Sequence, residues 1–248
     1  AAMGVDTLKI NPSGDEFVAH ARAHQTVMTE AEIASVCEVG QMHDKRVAAH
    51  CRSAQSVKLA LKHGVKVIYH ATLVDDEACA ALEAAKEWVF VAPTLGISYT
   101  TLNEAGKWGL TTAMAENMGV RRELEIGIRN MQELKRRGVR ILPGGDYGFA
   151  WNPIGTNARD IEHFVDLLGF SPMDAILAAT RLGGEIMMME NELGQVKPGF
   201  LADLILVDGN PLANVAILQD ATKLLAIMKD GAFHKKPMVR TEAQRQTA

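Results

Sequence analysis

The chain has 248 residues, with 26 Lys+Arg against 30 Asp+Glu for a net charge of −4, 48% hydrophobic and 23% charged residues. That balance excludes intrinsic disorder and argues against a nucleic-acid partner, since no Lys/Arg stripe appears. No apolar run approaches the ~20 residues of a membrane span, and Cys37, Cys51 and Cys79 form neither a CxxC nor a disulfide framework.

The first residues, Ala1-Ala2-Met3-Gly4, carry no initiator methionine and no signal-peptide pattern, so the chain is expected to be a piece of something longer. Its compartment stays open: cytoplasmic is favoured, with secreted or periplasmic as alternatives. A strand is predicted over Val5–Ile10. A helix over Thr29–Asp44 follows, with Thr29 and Glu32 in capping-box spacing. Strand Arg46–Cys51, helix Ser53–His63, strand Val65–His70, helix Asp75–Glu87 and strand Trp88–Thr94 come next. Residues 103–117 are expected to form a lid before a long helix over Asn117–Arg137, which stops at Gly138. A fifth strand is predicted over Val139–Asp146, then helices over Ala158–Gly169 and Ser171–Met189. The strand–helix alternation predicts an α/β fold with a parallel sheet. The tail differs: Gly194–Asp208 and Leu224–His234 read as β-strands, with a turn at Lys229-Asp230-Gly231.

In parallel α/β folds, reactive groups gather at the carboxyl ends of strands. Here those ends offer Lys9, His50, His70, Thr94 and Asp146. Two imidazoles and a carboxylate suit a divalent metal such as zinc, and an aspartate beside it can move protons. A lysine there would be repelled by the cation unless it lost its proton or reacted with CO2 to give a carbamate. Each residue also has a plain reading: a solvent-facing lysine, hydrogen-bonded core histidines and a turn aspartate after Gly144-Gly145.

Four stretches, GVDTLKI, RVAAHCRS, VKVIYHATLVDDE and VRILPGGDYG, with the tail LGQVKPGFLADLILVDGNPL, resemble in order the amidohydrolase superfamily of metal-dependent hydrolases. The likeness is to its imidazolonepropionase-like, Xaa-Pro-dipeptidase-like and ochratoxinase-like branch. The resemblance implies a (β/α)8 TIM barrel of which this chain supplies about the last five βα units (residues 1–192), with part of a small β-sandwich over 193–248. It implies cleavage of an amide or peptide-like C–N bond. Lys9 would be a carbamylated bridging ligand, His50 and His70 would bind one of one or two zinc-like ions, and Asp146 would be ligand and proton shuttle.

The family's His-x-His pair does not occur in this chain, so an N-terminal segment of the same protein is expected as a partner, besides a small-molecule substrate and a homo-oligomeric mate. The same absence supports an alternative, a metal-free relative acting as a binding or assembly subunit. A lactone, carbamate or phosphoester is the other substrate class the same site would take. Arg52 is a candidate for a substrate carboxylate, and Tyr99 is either a substrate-facing hydroxyl or a loop tyrosine. Cys51 is expected buried and inert. The remaining histidines are read as structural or exposed, and no GxSxG elbow supports a serine hydrolase.

Overall fold

The computed structural model describes residues 4–237, and they divide into two compact units between Phe170 and Ser171. The first unit is built on a parallel sheet with strand order β1-β2-β3-β4: Thr7–Ile10, Arg46–Ser53, Val67–Leu73 and Phe90–Ala92. Helices α1 (Glu30–Met42), α2 (Ala54–Lys62) and α3 (Asp76–Ala84) connect them, which makes the architecture α/β. Val47, Ala48, Ala49, Val67, Ile68 and Val91 are buried, as expected of strands covered on both faces.

The local signals act where the sequence places them. Thr29 caps α1 and Glu32 returns the bond, completing the capping box, while Ser53 and Asp75 cap α2 and α3. The predicted fifth strand contracts to a single parallel rung, Val91 with Ile141. Pro143 has no N–H to donate and Gly144-Gly145 leave the ladder, so pairing stops there.

The segment after β4 departs from the predicted lid. It holds helix α4 (Leu95–Asn103), a 3-10 turn at Ala105–Trp108 and helix α5 (Thr112–Met118). Gly119, at φ 96, separates α5 from α6 (Val120–Arg136), so the predicted Asn117–Arg137 helix starts later. Helix α7 (Arg159–Asp166) ends the first unit's regular structure.

In the second unit the predicted Ser171–Met189 helix divides at Thr180 into α8 (Pro172–Ala179) and α9 (Arg181–Ile186). Thr180 Oγ1 donates to the Ile176 carbonyl at 2.7 Å, a back-bond that bends helices. Strands β5 (Leu204–Val207), β6 (Leu224–Lys229) and β7 (Ala232–Lys235) form an antiparallel sheet, with a 3-10 turn at Val215–Gln219 between β5 and β6. The strand predicted from Gly194 begins only at Leu204, because Lys197–Phe200 form a turn through Gly199 at φ 90. Among the described residues no helix is long and apolar enough to cross a membrane.

Candidate active site

The carboxyl ends of β1, β2 and β3 bring Lys9, His50 and His70 together. By register Lys9 pairs with Ala48, and His50 with Tyr69, so Lys9, His50 and Tyr69 share one face. Lys9 Nζ stands 5.4 Å from the Tyr69 ring centre, and Lys9 is exposed rather than buried.

His70 pairs with Cys51, so strict alternation would send it to the opposite face. It does not go there. A register shift opens beside Cys51–Ser53, and His70 and Ala71 take left-handed backbone, φ 73 and 47. The His70 ring thereby meets the His50 ring edge-on, with centres 4.3 Å apart. Thr94 and Asp146, at the next two chain crossings of this rim, are left-handed as well, both at φ 56. Such backbone costs about 1–3 kcal/mol per non-glycine residue and persists where the surroundings dictate it.

The loop after β1 lies against the end of β2. Ser13 Oγ accepts the Arg52 N–H at 2.7 Å, and the Gly14 carbonyl accepts from His50 Nε2 at 3.0 Å. Gly14 is obligatory there, since a Cβ would stand 2.0 Å from the Ala21 carbonyl oxygen. Arg52 is 2% exposed and lies between two carboxylates. Its Nε and Nη2 each reach Asp15 Oδ2 at 2.9 Å, and Nη1 donates to Glu123 Oε1. Asp15 Oδ2 stands 3.9 Å from His50 Nε2.

Burial lowers the pKa of His50, with the charges of Arg52 and Lys9 adding and the Gly14 carbonyl and Asp15 opposing. His70 is held well below the ordinary imidazole range by burial, then by Arg52, His50 and Lys9. Both rings are therefore neutral at pH 7. Thr94 Oγ1 bonds both His70 Nδ1 and the Pro93 carbonyl; with the hydroxyl proton given to that carbonyl, Nδ1 carries the ring hydrogen and Nε2 keeps its lone pair.

Asp146 is exposed at the rim. Its charge favours the protonated form of Arg52 and opposes ionisation of Tyr69, but it makes no direct contact with the histidine pair. Tyr99 is not in a loop: it sits on α4, its ring tilted at 47° against the buried His163 of α7 with centres 4.7 Å apart. Cys51 is fully buried and its thiol is pushed up to about 12.

As metal donors these groups fit in kind, being neutral imidazoles, an exposed carboxylate and a lysine on the adjoining strand. They fall short in number: among the described residues no three His, Cys, Asp or Glu side chains come together as a metal site. A cavity of about 350 Å³ lies nearby, lined by Glu16, Arg22, Leu73 and Glu123 among others, but by none of Lys9, His50, His70 and Asp146.

Sequence reasoning missed Asp15, Glu123, Asn152 and Asp160. Glu123 and Asp160 left a signal: each is a charged residue on the buried face of its helix, beside Val120, Leu124 and Gly127 or beside Phe164. Asp15 left only its place in the loop after the lysine strand, and Asn152 left none.

The chain and its fold find counterparts among known proteins. The chain is 24% identical over 240 residues to the ochratoxinase of Aspergillus niger, a match that takes in 94% of this chain and 47% of that protein. It thus spans about half the length of the curated relatives it matches. The A. niger ochratoxinase crystal structure superposes with a TM-score of 0.82 at 21% identity, over 96% of this chain and 53% of that one. A prolidase complexed with N-methylphosphonate-L-proline gives 0.83 at 24%, over 95% and 56%. A further amidohydrolase structure gives 0.83 at 28%, over 96% and 56%. The amidohydrolase family model matches residues 4–233, so the chain belongs to the amidohydrolase family.

Proposed function

We propose that this chain is the ligand-bearing part of a metal-dependent hydrolase that cleaves an amide or peptide-like C–N bond. We further infer that β1–β4 and the Ile141 rung are an arc of an eight-stranded barrel, and that β5–β7 belong to a small β-sandwich. The observation carrying the reading is the His50–His70 contact, because a strained bulge serves to create it.

In this reading His70 offers Nε2, and His50, Lys9 and Asp146 complete what this chain gives to one or two divalent ions, zinc by donor chemistry. The ligand set is completed from outside these 248 residues, in keeping with the share of its relatives that the chain spans. Lys9 would enter as its carbamate, formed with CO2 with loss of a proton, which would replace a repelled ammonium by a carboxylate donor. When bound, the metal supplies Lewis acidity to the scissile carbonyl and lowers the pKa of water. The Asp146 carboxylate takes the proton from the attacking water and returns it to the departing nitrogen. Arg52 fixes Asp15 and so the loop whose Gly14 carbonyl holds His50. Tyr99, packed on His163, borders the substrate from α4. The substrate class fits the names of the relatives, an ochratoxinase and a prolidase.

One observation favours the metal-free binding subunit instead: the His50 Nε2–H is already given to a backbone carbonyl. Metal analysis of the full-length protein decides. The hydrolase reading expects one or two ions per chain, turnover of a panel of dipeptides and N-acyl amino acids, loss of turnover with chelator and recovery with Zn²⁺. A metal-free protein, or hydrolysis indifferent to chelator, sinks it.

A further inference from the structure

Asp146 stands on an exposed turn in left-handed backbone, φ 56, a conformation whose cost the surrounding contacts offset. Two buried side chains grip this turn from within. Asn152 is 1% exposed, and its Nδ2 donates to the Gly145 carbonyl at 2.8 Å and to the Asp146 carbonyl at 3.1 Å. Its own backbone closes the loop, with the Gly148 N–H donating to the Asn152 carbonyl and the Asn152 N–H to Phe149, each at 3.0 Å. Asp160, on α7, lies against the same turn: a Cβ on Gly96 would meet both the Gly145 backbone and Asp160 Oδ1, at 3.0 and 3.3 Å, and the Gly144 N–H and the Tyr147 hydroxyl both favour the Asp160 carboxylate. The Tyr147 ring folds back over Gly145 so closely that a Cβ there would lie 2.5 Å from it. Asn152 and Asp160 thus engage every residue from Gly144 to Tyr147, yet neither carries the chemistry itself.

We propose that Asn152 and Asp160 are positioning residues that hold the turn presenting the Asp146 carboxylate. The proposal rests on the reading of Asp146 as proton shuttle. A plain structural role is the competing account, since buried polar residues also serve stability. The two differ in what they predict. A positioning residue acts through Asp146, so its removal affects kcat rather than KM and loosens this turn alone.

The test uses the full-length protein with its metal content measured, on whichever dipeptide or N-acyl amino acid of the panel it hydrolyses best. Asn152→Ala is expected to lower kcat about 10- to 100-fold with KM within about twofold and metal content unchanged. Hydrogen exchange of the peptide covering 144–148 should accelerate, with β2 and β3 unaffected. Asp160→Asn, nearly isosteric, should do the same to a smaller extent, and it stands in if Asn152→Ala does not fold. In the Asp146→Asn background, Asn152→Ala should cost less than about twofold more. Unchanged kcat, unchanged exchange over 144–148, or a full multiplicative loss on top of Asp146→Asn would overturn the positioning role. If Asp146→Asn itself retains full turnover, the shuttle reading fails instead, and the exchange data still report whether the turn is pinned.

Discussion

The two sheets of this molecule are made of similar residues and live in opposite conditions. In the parallel sheet, RVAAHCRS has six of its eight residues buried, and Ile68 and Val91 are fully buried. In the antiparallel sheet, LILV reads exposed except at its end, with Ile205 54% and Leu206 53% exposed, and every residue of β7 is exposed. Every buried polar or charged residue among the described ones lies between Ser13 and His163, in the parallel unit. Apolar strands alone therefore do not make a site. What distinguishes the first sheet is that its dry surroundings hold imidazoles neutral and can pay for left-handed strand ends.

The strongest way to break this comparison is at its exposed rim. Asp146→Asn should leave both sheets intact and metal largely bound, yet lower turnover by about 10²–10⁴-fold, the share that a positioned proton-transfer group contributes. Kinetics beside metal analysis check it, and an active mutant refutes the shuttle role. Core truncation then tests the two sheets directly. Ile68→Ala in β3 should cost about 2–5 kcal/mol in urea unfolding. Ile205→Ala in β5, half exposed in this chain, should cost under about 1 kcal/mol. Equal costs would show that the two strands are buried alike in the assembled protein.

Two buried titratable groups of α7, Asp160 and His163, sharpen the contrast through pH. Burial pushes Asp160 up to about 6 from 3.8, against the Tyr147 hydroxyl and the Gly144 N–H. A raised carboxyl binds more protons in the folded state, so its contribution is present in acid and lost as pH rises through about 6. Burial pushes His163 down to about 4 from 6.5, with Arg159 adding. A depressed imidazole binds fewer protons when folded, so its contribution is present above 6.5 and lost as pH falls toward about 4. The two slopes oppose each other across most of that window and nearly cancel. Asp160→Asn should therefore unmask an acid-labile protein, losing roughly 3 kcal/mol between pH 6.5 and 4. His163→Phe should do the reverse, gaining stability in acid. Parallel stability curves for wild type and both variants would refute the opposition.

A smaller effect concerns Lys9. Lys9→Ala should weaken metal binding about 10- to 100-fold at low CO2, with partial recovery on adding short carboxylic acids. Undiminished metal content argues against a bridging carbamate.

How much of this was legible in the sequence depends on how local each cause is. Strand order and helix starts follow from neighbours in the chain: Ser53, Asp75 and the glycine after α2 announce themselves. The segment Leu95–Asn103 was not legible as a helix. It is buried on nearly all sides, so it shows no polar face and no period. Of the candidate site, the position of Lys9, His50 and His70 at strand ends was legible, but not its geometry. Nothing in Tyr69-His70-Ala71-Thr72 announces a bulge, since no glycine marks the two left-handed positions, and only packing against β2 and Thr94 imposes them. The partners that hold the site, Asp15 with Arg52 and Asp160 with Gly144, are 37 and 16 residues apart in sequence. Such pairings come from tertiary structure and no short motif encodes them.

The smallest predicted effect isolates the local part of that division. Thr29 Oγ1 accepts the Glu32 N–H at 3.3 Å and the Thr29 N–H reaches Glu32 Oε2 at 2.7 Å, both at the surface and remote in sequence from the histidine strands. Thr29→Ala should cost about 1 kcal/mol in unfolding free energy, because two N-terminal amides of α1 lose their partner or its orientation, and Thr29→Ser should cost almost nothing. Turnover should be unchanged in both. A capping variant that instead lowered kcat would mean that α1 and the strand it feeds, β2, transmit their fit to His50. The boundary between local folding signals and the site would then lie further out than the buried strands place it.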